Sequence, residues 1–101
     1  MIRAIIERQA KSGVDLFPLL IEIRIAAITH FQGYLGGETL VNTEDDANII
    51  AISTWETIED WEYWEKSEAR TTLYEKIRPL LRESPKVRTY QVMASEGKPV
   101  F

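Results

Sequence analysis

The 101-residue sequence predicts one α+β domain of the ferredoxin-like βαββαβ type, with helices on one face of a four-stranded antiparallel sheet. The first observation is the order of the segments, because strand-like and helix-like patterns follow one another as β-α-β-β-α-β. The second is the length, which suits a single domain. The third is the composition, since 45% apolar and 28% charged residues are ordinary for a globular protein.

The N-terminal part of the chain predicts a strand followed by a helix. Ile2 to Ala10 is rich in isoleucine and mixes in charged residues, as expected for a strand with one covered face. Asp15 is a candidate helix cap, and Pro18 then falls in the first turn, where its missing N–H costs little. Gly33 is a candidate stop signal. Between these signals, apolar residues recur at helical spacing: Leu16, Leu20, Ile23 and Ala27.

The middle of the chain predicts two strands. The second strand is expected over Glu38 to Asn42, and the preceding pair Gly36-Gly37 indicates a bulge or a close approach of another backbone. An acidic turn is expected at residues 44–46. Ala47 to Trp55 has the strongest strand character in the chain, and its nearly continuous apolar run favours a central position.

The C-terminal part predicts the second helical region and the last strand. Thr57 is a candidate N-cap with Asp60 three residues later, which predicts a helix to about Ser67. A second helical stretch carries apolar residues at helical spacing, and Val87 to Met93 is the fourth strand. We therefore expect a domain over residues 1–93 and a tail over residues 94–101, whose final Val100-Phe101 could reach a partner subunit.

Both faces of the predicted sheet carry apolar residues. In the first strand Ile5 is followed by Ile6, and in the third strand Ile49 is followed by Ile50. Since neighbouring side chains in a strand point to opposite faces, apolar residues lie on both faces. The helices can cover only one face. We therefore expect a homodimer in which two sheets pack face to face, a dimeric α/β barrel.

Charge and composition also limit the partners. A net charge of -4 and scattered basic residues argue against nucleic-acid binding. The chain has no cysteine, which excludes disulfides and thiolate chemistry. No apolar run approaches the length of a membrane span, and the first residues do not resemble a signal peptide. We expect a cytoplasmic protein with no membrane partner.

The chain's three tryptophans all lie in the segment TWETIEDWEYWEKSEA, residues 54–69. Trp61 and Trp64 share one side of the predicted helix with Ile58. Large aromatic side chains cover sheet surfaces efficiently, so core packing is the favoured interpretation of Trp61. Core packing is one interpretation of Trp64 in the same arc, and contact with a ligand is the other. Trp55 closes a buried strand and is interpreted as a core or pocket-floor residue.

Polar candidates for chemistry are few. His30, the only histidine, falls in the last turn of the first helix, where a histidine stabilises the helix end more often than it performs chemistry. Tyr34, Tyr74 and Tyr90 could donate phenolic hydrogen bonds to a ligand or pack at the core rim. With one histidine and no cysteine, a metal site is not expected.

The chain resembles the antibiotic biosynthesis monooxygenase (ABM) family. The resemblance rests on the order of segments, on Gln32-Gly33-Tyr34, on Trp55, on Ile58 to Trp61 with Trp64, and on the late stretch from Pro79 to Val87. It implies a dimeric α+β barrel with a pocket between sheet and helices. Members include cofactor-independent monooxygenases of aromatic polyketides, heme-degrading monooxygenases and enzymes acting on a quorum-signalling molecule.

The heme-degrading branch of that family implies a specific comparison. Its members line the heme with an Asn on the first strand, a Trp on the second helix and a His about ten residues later. By position these correspond to Glu7, Trp64 and Tyr74 in this chain. Since only the Trp is retained, heme degradation is the least favoured of the family's activities here.

Two hypotheses follow. The first is a monooxygenase of a small aromatic or quinone-type compound that needs no cofactor and no metal. Tyr34, Trp61 and Trp64 would then bind the substrate, and the candidate catalytic residues are Glu7, His30 and Tyr74. The second is a non-catalytic dimeric small-ligand-binding or stress-related protein. Convergent Glu, His and Tyr groups around an enclosed cavity would favour the first, and a sparsely polar pocket would favour the second.

Overall fold

The computed structural model describes residues 1–97, which form four strands and three α-helices. A single 3₁₀ turn, Arg78–Leu80, follows the third helix. The elements in chain order are β1 (Ile2–Gln9), α1 (Phe17–His30), β2 (Tyr34–Asn42), β3 (Asp45–Trp55), α2 (Ile58–Glu65), α3 (Glu68–Ile77) and β4 (Lys86–Gln91).

The strands form one antiparallel sheet in the order β2-β3-β1-β4. The first strand is therefore internal, and its Ile2 lies opposite Trp55 of β3 on one side and Gln91 of β4 on the other. This confirms the predicted ferredoxin-like class.

The helices cover one face of the sheet. Ala4, Ile6 and Arg8 alternate along β1 toward the helices and are buried, whereas Ile5 and Glu7 point to the other face. The uncovered face also carries Leu40, Ile50 and Ile52, which the strand register aligns with Ile5 and Glu7.

Local hydrogen bonds explain where α1 begins and ends. The backbone N–H of Phe17 donates to Asp15 Oδ1 at 3.0 Å, and Pro18 occupies the first turn, so the predicted start is correct within two residues. The helix ends at His30. Gly33 has a φ of 85° in the turn that follows, and a Cβ at this position would collide with the carboxylate of Asp60.

The second helical region is two separate helices, which the sequence pattern only partly predicts. The N–H of Asp60 donates to Thr57 Oγ1 at 3.1 Å, confirming the predicted cap. The predicted end at about Ser67 is correct within two residues, because α2 ends at Glu65. Ser67 causes the break: its hydroxyl donates to the Trp64 carbonyl at 2.7 Å and accepts from the N–H of Arg70 at 3.2 Å, which starts α3.

Two strand boundaries also differ from prediction. β2 begins at Tyr34 instead of Glu38, because the register shift between Tyr34 and Gly36 lets pairing continue through the predicted bulge. The turn before β3 lies at residues 43–44, where Asn42 Oδ1 accepts from the N–H of Glu44 at 2.8 Å. Asp45 and the residue after it therefore belong to β3.

The end of the chain carries no regular structure over residues 92–97. β4 stops at Gln91, before the predicted Met93. The N–H of Val92 still donates to the carbonyl of Met1 at 2.9 Å. Val100 and Phe101, which were expected to reach a partner subunit, lie outside the described residues.

Two apolar clusters fill the space between sheet and helices. One contains all three tryptophans and packs them against β1 and α1: Ala4, Ile6, Ala27, Trp55, Trp61 and Trp64. The other closes the opposite end: Ala10, Leu16, Leu20, Ile77 and Leu81. None of the helices within residues 1–97 has both the length and the apolar character needed to cross a bilayer.

Candidate functional site

A small cavity of about 50 Å³ lies inside the domain, between the covered face of the sheet and the helices. Its walls come from β1, α1, β2, β3 and α2 and are mainly apolar or aromatic. The polar lining groups include Arg8, Arg24 and Tyr34. A cavity of this size holds a few water molecules or one small polar group.

Three tryptophans and one tyrosine form the aromatic wall of the cavity. The Trp55 ring lies 6.0 Å from that of Trp61 and 6.5 Å from that of Trp64, measured between centroids. Tyr34 meets Trp55 edge-on at 5.3 Å. The three indoles are buried, with at most 3% of each exposed. Trp61 and Trp64 therefore both pack the core and line the cavity.

Tyr34 owes its position to a glycine on the same strand. A Cβ at Gly37 would lie 2.7 Å from the Tyr34 hydroxyl oxygen and 2.7 Å from the Ile52 carbonyl oxygen. Only glycine leaves this space free. The adjacent glycines Gly36 and Gly37 in the sequence therefore mark both the bulge and the place where the Tyr34 ring lines the cavity.

Arg8 is the most unusual group of the cavity lining. It points from the C-terminal end of β1 toward the helices and is only 2% exposed. Its Nε has no hydrogen-bond partner among residues 1–97. Burial and then the charge of Arg70 lower the pKa of Arg8 to about 10, while Tyr74 raises it. Arg8 is therefore still a cation at neutral pH.

A second guanidinium lies close by on α3. Arg70 packs over the Trp61 ring at 5.7 Å and over the Tyr74 ring at 6.0 Å. Burial lowers the pKa of Arg70, whereas Glu65 and Tyr74 raise it. The Arg78 guanidinium also lies over Tyr74, at 5.4 Å. Tyr74 is thus held between two cations beside the cavity and is not part of its lining.

Arg24 differs from Arg8 because the protein satisfies it. Its Nη1 donates to Thr39 Oγ1 at 3.2 Å, and its Nη2 donates to the Gly37 carbonyl. These bonds tie α1 to β2. We interpret Arg24 as a structural residue of the cavity wall.

Glu7 lies on the uncovered face of the sheet, opposite the cavity. Its Oε2 accepts a hydrogen bond from Asn48 Nδ2 at 3.1 Å, and Asn48 Oδ1 accepts one from Asn42 Nδ2 at 3.1 Å. The odd position of Glu7 in β1 places it there, since side chains alternate between faces.

His30 lies at the exposed end of α1 and does not line the cavity. The structure thus brings Tyr34, Trp61 and Trp64 together, sets Tyr74 beside them, and separates Glu7 and His30 from them. Sequence reasoning missed Arg8 and Arg70. For Arg8 a signal existed, because it shares the alternation of Ala4 and Ile6, the side of β1 that faces the helices.

A larger groove of about 940 Å³ is open to solvent at the other end of the domain. It follows the loop from Ala10 to Phe17 and the nearby ends of β2 and β3. Its charged side chains are exposed and of both signs, among them Lys11, Asp45 and Arg82. The smaller cavity between sheet and helices is the stronger candidate, because the buried Arg8 and the aromatic walls converge there.

The described residues do not fit a heme. A porphyrin is far larger than a cavity of about 50 Å³. Tyr74, at the position of the branch's histidine, faces two guanidinium groups. Glu7, at the position of its asparagine, lies on the other face of the sheet. Over residues 1–97, no three side chains of the His, Cys, Asp or Glu type are grouped as a metal site would require.

A comparison with sequence models of protein families shows which family the chain belongs to. The sequence model described as antibiotic biosynthesis monooxygenase matches residues 1–76. The chain belongs to the ABM family. The match includes all the residues that line the cavity, and also Glu7, His30 and Tyr74.

Solved structures extend the likeness to the fold of the whole chain. A crystal structure of an antibiotic biosynthesis monooxygenase superposes with a TM-score of 0.82 at 18% identity, covering 93% of this chain and 100% of the other. A protein from Nitrosomonas europaea, provisionally assigned to the same class, gives 0.83 at 14% identity with the same coverage. A conserved protein from Methanosarcina mazei Go1 gives 0.82 at 12% identity, covering 89% and 90%. No curated protein matches the sequence. At these identities the structures share the ABM fold with this chain.

Proposed function

We propose that the chain is a monooxygenase that oxidises a small aromatic or quinone-type compound without metal or flavin. The observation that carries this proposal is the aromatic cavity. Trp55, Trp61, Trp64 and Tyr34 surround an enclosed space between sheet and helices, and aromatic walls of this kind favour a flat, apolar ring.

The reaction requires a substrate that can supply electrons to oxygen itself. A ring methylene beside a carbonyl loses a proton to give a carbanion, which reacts with O₂. One oxygen atom replaces the two methylene hydrogens as a new carbonyl, and the other leaves as water. The protein's task is to hold the ring, exclude bulk water and stabilise the negative charge through hydrogen-bond donors and cations.

Ring binding requires the cavity to enlarge. A dry cavity of about 150 Å³ accommodates benzene, whereas the enclosed volume here is about 50 Å³. The break between α2 and α3 at Ser67 lets α2, with Trp61 and Trp64, shift separately from α3.

The test is oxygen consumption with anthrone-type and hydroquinone substrates, measured with an oxygen electrode. We expect uptake by the wild-type chain and at least tenfold less by Ala51→Leu, which fills the cavity from β3. Ala69→Leu is the matched control, since Ala69 is exposed on α3. Uptake that is equal in both variants would contradict catalysis in this cavity.

A parallel heme titration tests whether the chain belongs to the heme-degrading branch, the least favoured one here. We expect no Soret shift on mixing the chain with heme, because the cavity and its neighbouring side chains do not fit a porphyrin. A saturable shift at one heme per chain would overturn the proposal in favour of heme binding.

One observation favours the second hypothesis, a non-catalytic ligand-binding protein. Glu7 and His30, the candidate bases, both lie outside the cavity lining. If aromatic ligands bind with Ala51-dependent affinity and no tested substrate consumes oxygen, the binding function is the correct one.

A further inference from the structure

The strongest unexplained feature of the molecule is a buried positive charge without a counter-ion. Arg8 is 2% exposed, and its Nε has no hydrogen-bond partner among residues 1–97. Folded proteins normally pair a buried charge, because leaving it unpaired forfeits its hydration without compensation. An unpaired Nε–H on a buried guanidinium in a cavity wall therefore calls for a missing partner.

Residues 1–97 do not supply that partner. The ion pairs within the described residues are Lys66–Glu62, Lys76–Glu22 and Arg78–Glu75, and none includes Arg8 or Arg70. The charged neighbour that acts most strongly on Arg8 is Arg70, which carries the same sign. Two partly dehydrated guanidinium groups thus lie near each other, an arrangement that an anion would stabilise.

The surroundings define what kind of anion fits. Arg8 and Trp61 both line the cavity, and the Arg70 guanidinium lies over the Trp61 ring at 5.7 Å. Once the cavity has enlarged, as ring binding requires, an anionic oxygen can meet Arg8 while the ring that carries it contacts the indoles. A polyphosphate is too large for such a cavity and has no apolar surface that could contact the indoles.

We propose that Arg8, assisted by Arg70, binds the negatively charged oxygen of an aromatic ligand, a phenolate or a ring carboxylate, inside the cavity. This inference rests on the proposed function and narrows its substrate class. A substrate that ionises by itself, or whose ionisation Arg8 promotes, needs neither Glu7 nor His30 as a base. The positions of Glu7 and His30 outside the cavity agree with this.

The first experiment uses 4-nitrophenol, whose phenolate absorbs visible light. We expect the wild-type chain to lower the apparent pKa of the bound 4-nitrophenol, because Arg8 favours the phenolate. Benzoate should compete, as a ring carboxylate would. 4-Nitroanisole, which keeps the ring but cannot ionise, serves as the neutral comparison, and inorganic phosphate as the anion without a ring.

Matched variants assign the effect to one side chain. Arg8→Met should weaken binding of 4-nitrophenolate at least tenfold and abolish the pKa change, while 4-nitroanisole binds as before. Arg70→Met should weaken phenolate binding less. Arg3→Met is the control, because Arg3 belongs to the same strand but is exposed on the other face. It should change phenolate affinity less than twofold.

Two results would overturn the inference. One is phenolate affinity in Arg8→Met within twofold of wild type; the other is phosphate binding as tight as that of the aromatic anions. If Arg8→Met fails to fold by circular dichroism, Arg8→Lys and Arg70→Met carry the same test, together with the pKa change in the wild-type chain.

The inference and the proposed function fail separately. Arg8-dependent phenolate binding without oxygen consumption would uphold the anion subsite and refute the monooxygenase. Oxygen consumption with a neutral aromatic substrate, unchanged in Arg8→Met, would uphold the monooxygenase and refute the anion subsite.

Discussion

At the scale of single residues, Arg8 lowers the stability of the ligand-free chain, although we propose that it binds the ligand. A methionine of similar length at this position would bury no charge and leave no donor unsatisfied. Folding lowers the pKa of Arg8 to about 10, a shift that corresponds to a cost of about 3 kcal/mol at neutral pH. Because the unfolded chain holds this proton more tightly, stability is lowest below about pH 10 and rises as the pH increases above that value.

We therefore predict that Arg8→Met stabilises the ligand-free chain by about 1–3 kcal/mol at neutral pH. Urea unfolding followed by tryptophan fluorescence measures the difference, and Arg3→Met should change the free energy of unfolding by less than about 0.5 kcal/mol. A destabilised Arg8→Met variant would mean that Arg8 supports the fold through contacts instead of waiting for a ligand.

Residue-level prediction from sequence succeeded where side-chain type and period agree. Trp61 and Trp64 were expected on one side of a helix, and both line the cavity. The catalytic role of Glu7 stays a prediction, and matching by position alone did not consider which face of β1 an odd-numbered residue occupies. The burial of Arg8 depends on helices that are distant from β1 in the sequence and contribute no signal there.

At the scale of elements, one serine divides the second helical region. Ser67 ends α2 by donating to the Trp64 carbonyl and begins α3 by capping the N–H of Arg70. The sequence predicted the Thr57 cap, since a threonine precedes a clear apolar pattern. It also predicted one helix to about Ser67 and a second helical stretch after it, but it did not identify the Ser67 hydroxyl as the group between them, because only the observed hydrogen bonds show this.

Ser67→Ala should destabilise the chain by about 1–2 kcal/mol, because it removes the cap of α3 and the hydrogen bond that closes α2. Thermal unfolding measures the change. Thr72→Ala on the exposed side of α3 is the comparison and should shift the midpoint by much less. Equal effects of the two substitutions would show that the Ser67 hydroxyl contributes no more than an ordinary surface group.

At the scale of the whole molecule, no helix among residues 1–97 packs on the second face of the sheet. Ile5, Leu40, Ile50 and Ile52 lie on it, and we propose that a second copy of the chain packs there. Exposed apolar side chains also occur on the outer side of α1, where Ile25 is 55% exposed. These two surfaces are alternatives for the dimer contact.

We predict a dimer by light scattering and a monomer for Ile50→Lys, since a lysine on the uncovered face cannot be buried against another sheet without loss. Ile25→Lys should leave the dimer intact. The opposite pattern would assign the contact to α1, and a wild-type monomer would refute the sheet-to-sheet arrangement.

The sequence predicted the fold of the whole molecule better than its cavity. The order of elements follows from apolar periodicity, which is local. The cavity depends on how five elements meet, and its volume follows from the sizes of side chains far apart in the chain. The effect of the Arg70 charge on Arg8, which lies 62 positions earlier in the chain, is a relation of this kind.

The central position of β1 also shapes how the chain acquires its structure. β1 is synthesised first, yet its neighbours are β3 and then β4, whose Gln91 pairs with Ile2. Closing such long loops slows folding. While the last strand is still being synthesised, one edge of an isoleucine-rich strand stays open to other chains. Completion of β4 therefore marks the point at which a newly made chain loses its tendency to aggregate through that edge.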